Sequence, residues 1–203
     1  MAPPTGRRSS SRASVAAAGR SVIFFLAYPS CSAAPRGILR KDLQSLRFGA
    51  EVATAGDSDN DFAALIQSIG LSHFKPYEFL VMGHQHSNPN SSAYGLNAKP
   101  PRDKWNNIVP TARVLDRVRE LLGAPIVTLS VYRSPKYNAK IGGAKHSEHM
   151  DFSAIDFMAK SNSGPAQWGN VVRQLRQSGL FKGGIGVYPS FVHVDTRGVN
   201  RDW

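Results

Sequence analysis

The stretch Ser147-Glu148-His149-Met150-Asp151-Phe152-Ser153-Ala154-Ile155-Asp156-Phe157-Met158 decides the fold, because it reads as a loop running into a strand. His149 and Asp156 stand seven positions apart and do not share a helix face at the i, i+4 spacing. Gly142-Gly143 lies just upstream, and Ala154–Met158 alternates as a strand does. Asp156 then falls on one face, with Ile155 and Phe157 on the other. A loop histidine can fold back onto that aspartate. A second histidine, His193 in Phe191-Val192-His193-Val194-Asp195, completes a set of two imidazoles and one carboxylate. Such a set can hold Zn2+ and leave a fourth position open, as catalytic zinc sites do.

Outward from that stretch, apolar periodicity places the other elements. Phe62, Leu65 and Ile66 mark a short helix closed by Gly70, and residues 73–80 enter another helical turn. Residues 84–104, rich in Asn, Ser, Pro and Gly, read as a long surface loop. A helix is expected over 109–122, where Val114, Leu115, Val118, Leu121 and Leu122 recur before Gly123. A strand follows over Ile126–Tyr132. A second amphipathic helix covers 166–178, with Trp168, Val171, Val172 and Leu175 inward and Gly179 as its stop. Short strands are expected at Gly184–Tyr188 and Phe191–Asp195. Helices first and short strands last favour an α+β class, a small antiparallel sheet with flanking helices. No internal repeat is visible.

Composition narrows the classes. The 203 residues suffice for one domain with a core, 41% are apolar, and the net charge is +11. Residues 1–50 hold eight Lys/Arg against one acid, so most of that excess sits at the start. The body has no basic stripe interleaved with aromatics, which argues against a nucleic-acid partner. Cys31 is the only cysteine, excluding an internal disulfide and a cysteine-rich zinc finger. The arginine-rich start, the apolar run Val22–Ala27 and Ser32-Ala33-Ala34 form the pattern of an export signal. Residues 1–34 are therefore expected to be an export signal or membrane anchor, touching the membrane only if uncleaved. Residues 35–70 are expected to be a linker with a short helix, and 71–203 the catalytic domain.

The segment Ser130-Val131-Tyr132-Arg133-Ser134-Pro135 precedes Ser147, His149, Ala154 and Asp156, and His193 comes near the end. In these motifs and their order the chain resembles the zinc D-Ala-D-Ala carboxypeptidases and murein endopeptidases, which share a fold with the hedgehog signalling domain. The resemblance covers about residues 71–203. The ending Gly183-Gly184-Ile185-Gly186-Val187-Tyr188-Pro189 before Phe191–Asp195 looks like the murein-endopeptidase branch. The resemblance implies a hedgehog/DD-peptidase-like fold, Zn2+ on His149, Asp156 and His193, and peptidoglycan as the partner cut in the periplasm or cell envelope. It further implies substrate contacts at Tyr132, Ser147 and Tyr188. Arg133 would face the developing oxyanion or grip a substrate carboxylate. Asp195, two residues after His193, would be either the general base or a group orienting the imidazole. Glu148 and Asp151 are lesser base candidates, and His146 is assigned a substrate-side or structural role. His84 and His86 are read as surface residues. Two positions depart from the family: Phe152 stands where relatives have glycine, and Ser190 where many have the acidic base. Alternatives are a D,D-carboxypeptidase and a non-catalytic, zinc-containing wall-binding module.

Overall fold

The computed structural model describes residues 58–203. The expected export segment and most of the expected linker lie outside the described residues. Helix α1 (Ser58–Ser68) is followed by a 3-10 turn (Pro76–Phe79), α2 (His84–Ser87), a 3-10 turn (Arg102–Asn107) and α3 (Ile108–Leu122). Then come β1 (Ile126–Ser130), α4 (Pro135–Lys140), β2 (Ala154–Ala159), α5 (Pro165–Gln177), β3 (Gly184–Val187), β4 (Val192–Asp195) and β5 (Arg201–Asp202). Among the described residues no helix is long and apolar enough to cross a membrane.

The strands form one sheet in the order β1-β2-β4-β3-β5. All pairs are antiparallel except β3 with β5, so the expected antiparallel sheet gains a parallel edge. Side chains alternate across the central pair. Ile155, Phe157, Val192 and Val194 are buried in the hydrophobic core together with Val114, Leu115 and Val118 of α3 and Val172 of α5. Burying such side chains contributes roughly 1.5–3 kcal/mol each, which pins the register. A one-residue slip would turn the whole apolar set away from the helices. The register sets Asp156 opposite His193, on the face away from those helices.

Helix α3 stops where the apolar period stops, at Gly123, whose φ of 58° is the left-handed turn expected of a helix end. Helix α5 starts on Pro165, where a missing N–H costs nothing. Helix α1 joins the same core: Phe62 and Ile66 are buried, and the Phe62 ring packs edge-on to Trp105 at 5.4 Å.

Three differences from the sequence reading have physical causes. Residues 84–104 are not wholly a surface loop, since Ala93 and Asn97 are buried and Asn97 bridges the carbonyls of Met82 and Tyr132. Strand β1 ends at Ser130 rather than Tyr132, after an irregularity in its pairing with β2. Helix α4 occupies Pro135–Lys140, capped by the Ser134 hydroxyl, which accepts from the Tyr137 N–H.

Candidate metal centre

Each residue of the candidate set is placed by a different element. Asp156 is on β2 and His193 on β4, paired across the ladder, while His149 comes from the turn before β2. That turn is tied to the chain after β1, where the Arg133 N–H donates to the His149 carbonyl (3.1 Å). All three side chains are buried, His149 at 2%, Asp156 at 5% and His193 at 6% exposure.

Hydrogen bonds select the ring nitrogens. His149 Nδ1 lies 2.7 Å from the Val131 carbonyl, which has no proton to give, so Nδ1–H donates and Nε2 keeps its lone pair. His193 Nε2 lies 3.0 Å from Asp195 Oδ2 and donates to it, which leaves Nδ1 to face the centre. The three inward atoms are then His149 Nε2, His193 Nδ1 and Asp156 Oδ1. Their separations are 3.2 Å between the nitrogens, 2.8 Å from His193 to Asp156 and 3.1 Å from His149 to Asp156. Four ligands about 2.1 Å from a tetrahedral zinc stand roughly 3.4 Å apart, so the three atoms sit a few tenths of an ångström closer together than a bound zinc would hold them. Three converging lone pairs also require a proton or cation between them.

Without a metal, the electrostatics divide the two histidines. Burial pushes the His149 imidazole below its ordinary value, toward the neutral form that ligates. Burial opposes the charge on His193 too, but hydrogen bonds to Asp156 and Asp195 outweigh it and hold that imidazole above its ordinary value. Burial likewise works against an ionised Asp156, yet His149 and His193 keep its carboxyl well below the usual carboxylate range.

Around this centre lie the outer partners. Arg133 bridges Ser130 Oγ (2.9 Å) and Asp156 Oδ2, the carboxylate oxygen turned away from the histidines. Asp195 is fully buried and accepts from His193, from the Gly184 N–H (2.9 Å) and from the Arg197 guanidinium. Its carboxyl is held far below the ordinary range: burial opposes ionisation, and Arg197 and His193 more than compensate.

A cavity of about 480 Å³ opens over the three residues. It is lined by the 141–148 segment and, from the C-terminal part, by Tyr188, Phe191, Arg197, Arg201 and Trp203. Gly143 leaves the room that the buried Asn138 side chain occupies, since a Cβ there would stand 2.1 Å from Asn138 Oδ1. A second cavity, about 260 Å³, reaches Gly83, His84 and Gln85 and shares Arg133, Asp156, Ile141 and Phe191 with the first.

The residues singled out in the sequence separate in space. Arg133, Ser147, Glu148 and Tyr188 line the first cavity with the three candidate ligands, as does His146. Tyr132 does not: the chain leaves β1 after Ser130 and turns Tyr132 into the core, edge-on to Phe152 at 6.0 Å. The expected substrate contact at Tyr132 is therefore withdrawn. Asp151 is an exposed residue paired with Lys104 (2.7 Å). His86 accepts from the Asn97 N–H (2.9 Å), and His84 sits on the second cavity. Ser190 is exposed and lines neither of these two cavities. Arg197, Arg201 and Trp203 escaped the sequence reading. The arginine two residues beyond Asp195 was a signal for the first; the other two had none.

A sequence model of the family described as peptidase M15 matches residues 73–195, which contain all three candidate ligands. The chain belongs to the peptidase M15 family. No curated protein and no solved structure matches it. M15 peptidases are zinc metallopeptidases, so this peptidase is a hydrolase of the zinc-dependent class, and its buried His149, Asp156 and His193 can hold the metal. The α+β fold, a five-stranded sheet with flanking helices, is that of an M15 peptidase.

Proposed function

We propose that this chain is an exported zinc endopeptidase that hydrolyses amide bonds in the cross-links or peptide stems of peptidoglycan. The observation that carries the proposal is the convergence of His149 Nε2, His193 Nδ1 and Asp156 Oδ1 at the floor of an open cavity, inside the region matched to peptidase M15. Members of that family act on peptidoglycan. Zinc held by these residues would supply Lewis acidity toward the scissile carbonyl and would lower the pKa of water toward about 7.

The chain's own residues take distinct parts. Arg133 fixes Asp156 through one carboxylate oxygen and lines both cavities, where its guanidinium can meet the carbonyl oxygen as it gains charge. Asp195 lies behind His193, without exposed surface, so its part is to orient the imidazole rather than to take a proton from water. The first cavity is lined by two carboxylates, Asp156 and Glu148. With Asp156 in the ligand set, proton transfer falls to Glu148, held by the Ser153 hydroxyl (2.8 Å) with one-fifth of its side chain exposed. Glu148 thus takes the part that Ser190 cannot.

Cleavage within a chain is favoured over trimming of its end because two cavities meet at the Arg133–Asp156 pair, more room than a chain end needs. A cross-linked substrate extends both ways from the scissile bond. The glycine-rich ending before His193 supports the same branch. Digestion of purified peptidoglycan with mass analysis of the fragments is the test. Loss of cross-linked dimers is expected; release of terminal D-alanine alone would make the enzyme a carboxypeptidase, and binding without cleavage a wall-binding module.

A further inference from the structure

Strand β5 is only two residues long, too short to hold its place by ladder bonds alone. It is clamped from the helix side. Asp202 points to α5 and pairs with Arg173 (3.3 Å) and Arg176. Arg176 also donates to the carbonyls of Gly183 (2.9 Å) and Arg201 (3.0 Å). The residues on either side of Asp202 turn the opposite way, and both Arg201 and Trp203 line the cavity over the candidate metal centre.

Trp203 is seated closely. A Cβ at Gly184 would stand 3.0 Å from its ring, and one at Gly186 2.5 Å from its Nε1, so these two glycines clear the seat. Its Nε1–H donates to the Tyr188 hydroxyl (2.8 Å), and its ring centre lies 5.3 Å from that of His193. The glycines of Gly184-Ile185-Gly186 therefore shape an aromatic wall beside the reacting centre. Three arginines share the cavity. Arg133 is matched by Asp156, and Arg197 by Asp195 and Glu148. The Arg201 guanidinium has no side-chain partner among the described residues. An unmatched cation in a concave site focuses its field on an incoming anion, and a guanidinium pairs best with a planar carboxylate.

We propose that Arg201, backed by Trp203, is a specificity-determining residue that receives a free carboxylate of the peptide next to the bond being cut. The inference rests on the peptidase reading of the cleft and adds the chemistry of the preferred substrate: an anionic peptide in which that carboxylate is not amidated.

Two cross-linked stem peptides, identical except that the carboxylate beside the cross-link is free in one and amidated in the other, test it with the zinc-loaded protein. The free-carboxylate peptide should be preferred by about tenfold or more in kcat/KM, chiefly through KM. Arg201→Gln should bring the ratio near one, Arg201→Lys should retain part of it, and Arg113→Gln, an exposed arginine on α3, should leave it intact. A wild-type ratio near one, or a ratio that survives Arg201→Gln, overturns the proposal. If neither peptide is cut, calorimetric binding decides. Carboxylate-selective binding lost in Arg201→Gln upholds the subsite and defeats the cleavage reading, whereas equal or absent binding overturns the subsite.

Discussion

Phe152 holds a backbone φ of 58°, the left-handed region that costs a residue with a side chain roughly 1–2 kcal/mol. Its N–H donates to the His149 carbonyl, so the turn that carries His149 passes through a conformation that glycine adopts freely and phenylalanine does not. The ring is fully buried against Phe62 and Tyr132, each 6.0 Å away, and truncating a buried Phe costs about 3–5 kcal/mol. Packing therefore outweighs strain. Phe152→Gly should lower stability by about 2 kcal/mol net, read as a lower urea midpoint; an unchanged midpoint would contradict the balance. Asp195→Asn should weaken zinc binding about 10–100-fold, with turnover restored by added zinc, because the carboxylate fixes the His193 tautomer. Glu148→Gln should keep zinc and lose turnover that no added zinc restores, since an amide accepts no proton from water. Measuring activity and bound metal together for both variants separates the two roles. The candidate ligands were legible in the sequence because each brings a chemistry few residue types share. The burial of Asp195 was not, because spacing showed its face but not that Arg197 and Gly184 close around it.

At the scale of elements, α3 and α5 were legible from their periodicity, and the observed bounds differ from the expected ones by a residue at most ends. Strand β5 was not, since Arg201-Asp202 has no apolar alternation and is held by ion pairs from α5. Helix α4 was missed because Pro135 at its start reads equally as a turn. The clamp on β5 makes a pH dependence. Partial burial disfavours the charged Asp202, but Arg176 and Arg173 prevail and hold its carboxyl below the ordinary value. A depressed folded value adds stability above the unfolded value of about 3.9, and that contribution is lost as pH falls through the folded value. Acid should thus loosen β5 first, seen as a change in Trp203 fluorescence below about pH 4 that Asp202→Asn abolishes. Gly186→Ala should displace the same indole at neutral pH, because its Cβ would stand 2.5 Å from Nε1. Unaltered emission in that variant would contradict the seating of Trp203.

For the whole molecule, the sheet joins distant parts of the chain: β2 and β4 bring Asp156 and His193 together, and the turn before β2 adds His149. The class of fold was readable because helices open the described chain and short strands joined by brief loops close it; the parallel edge, which depends on side chains of another element, was not. The proposed wall substrate lies outside the cytoplasm, so N-terminal sequencing from the native host should find the chain beginning after residue 34 or retained at the membrane. A cytoplasmic chain starting at Met1 would count against export. A single zinc held by His149, Asp156 and His193 is what the proposed activity requires. Anomalous diffraction at the zinc edge from zinc-loaded crystals tests it directly. One peak is expected about 2.0–2.2 Å from His149 Nε2, His193 Nδ1 and Asp156 Oδ1, with His193 Nε2 still bonded to Asp195. A peak elsewhere, or none at full zinc loading, would contradict it.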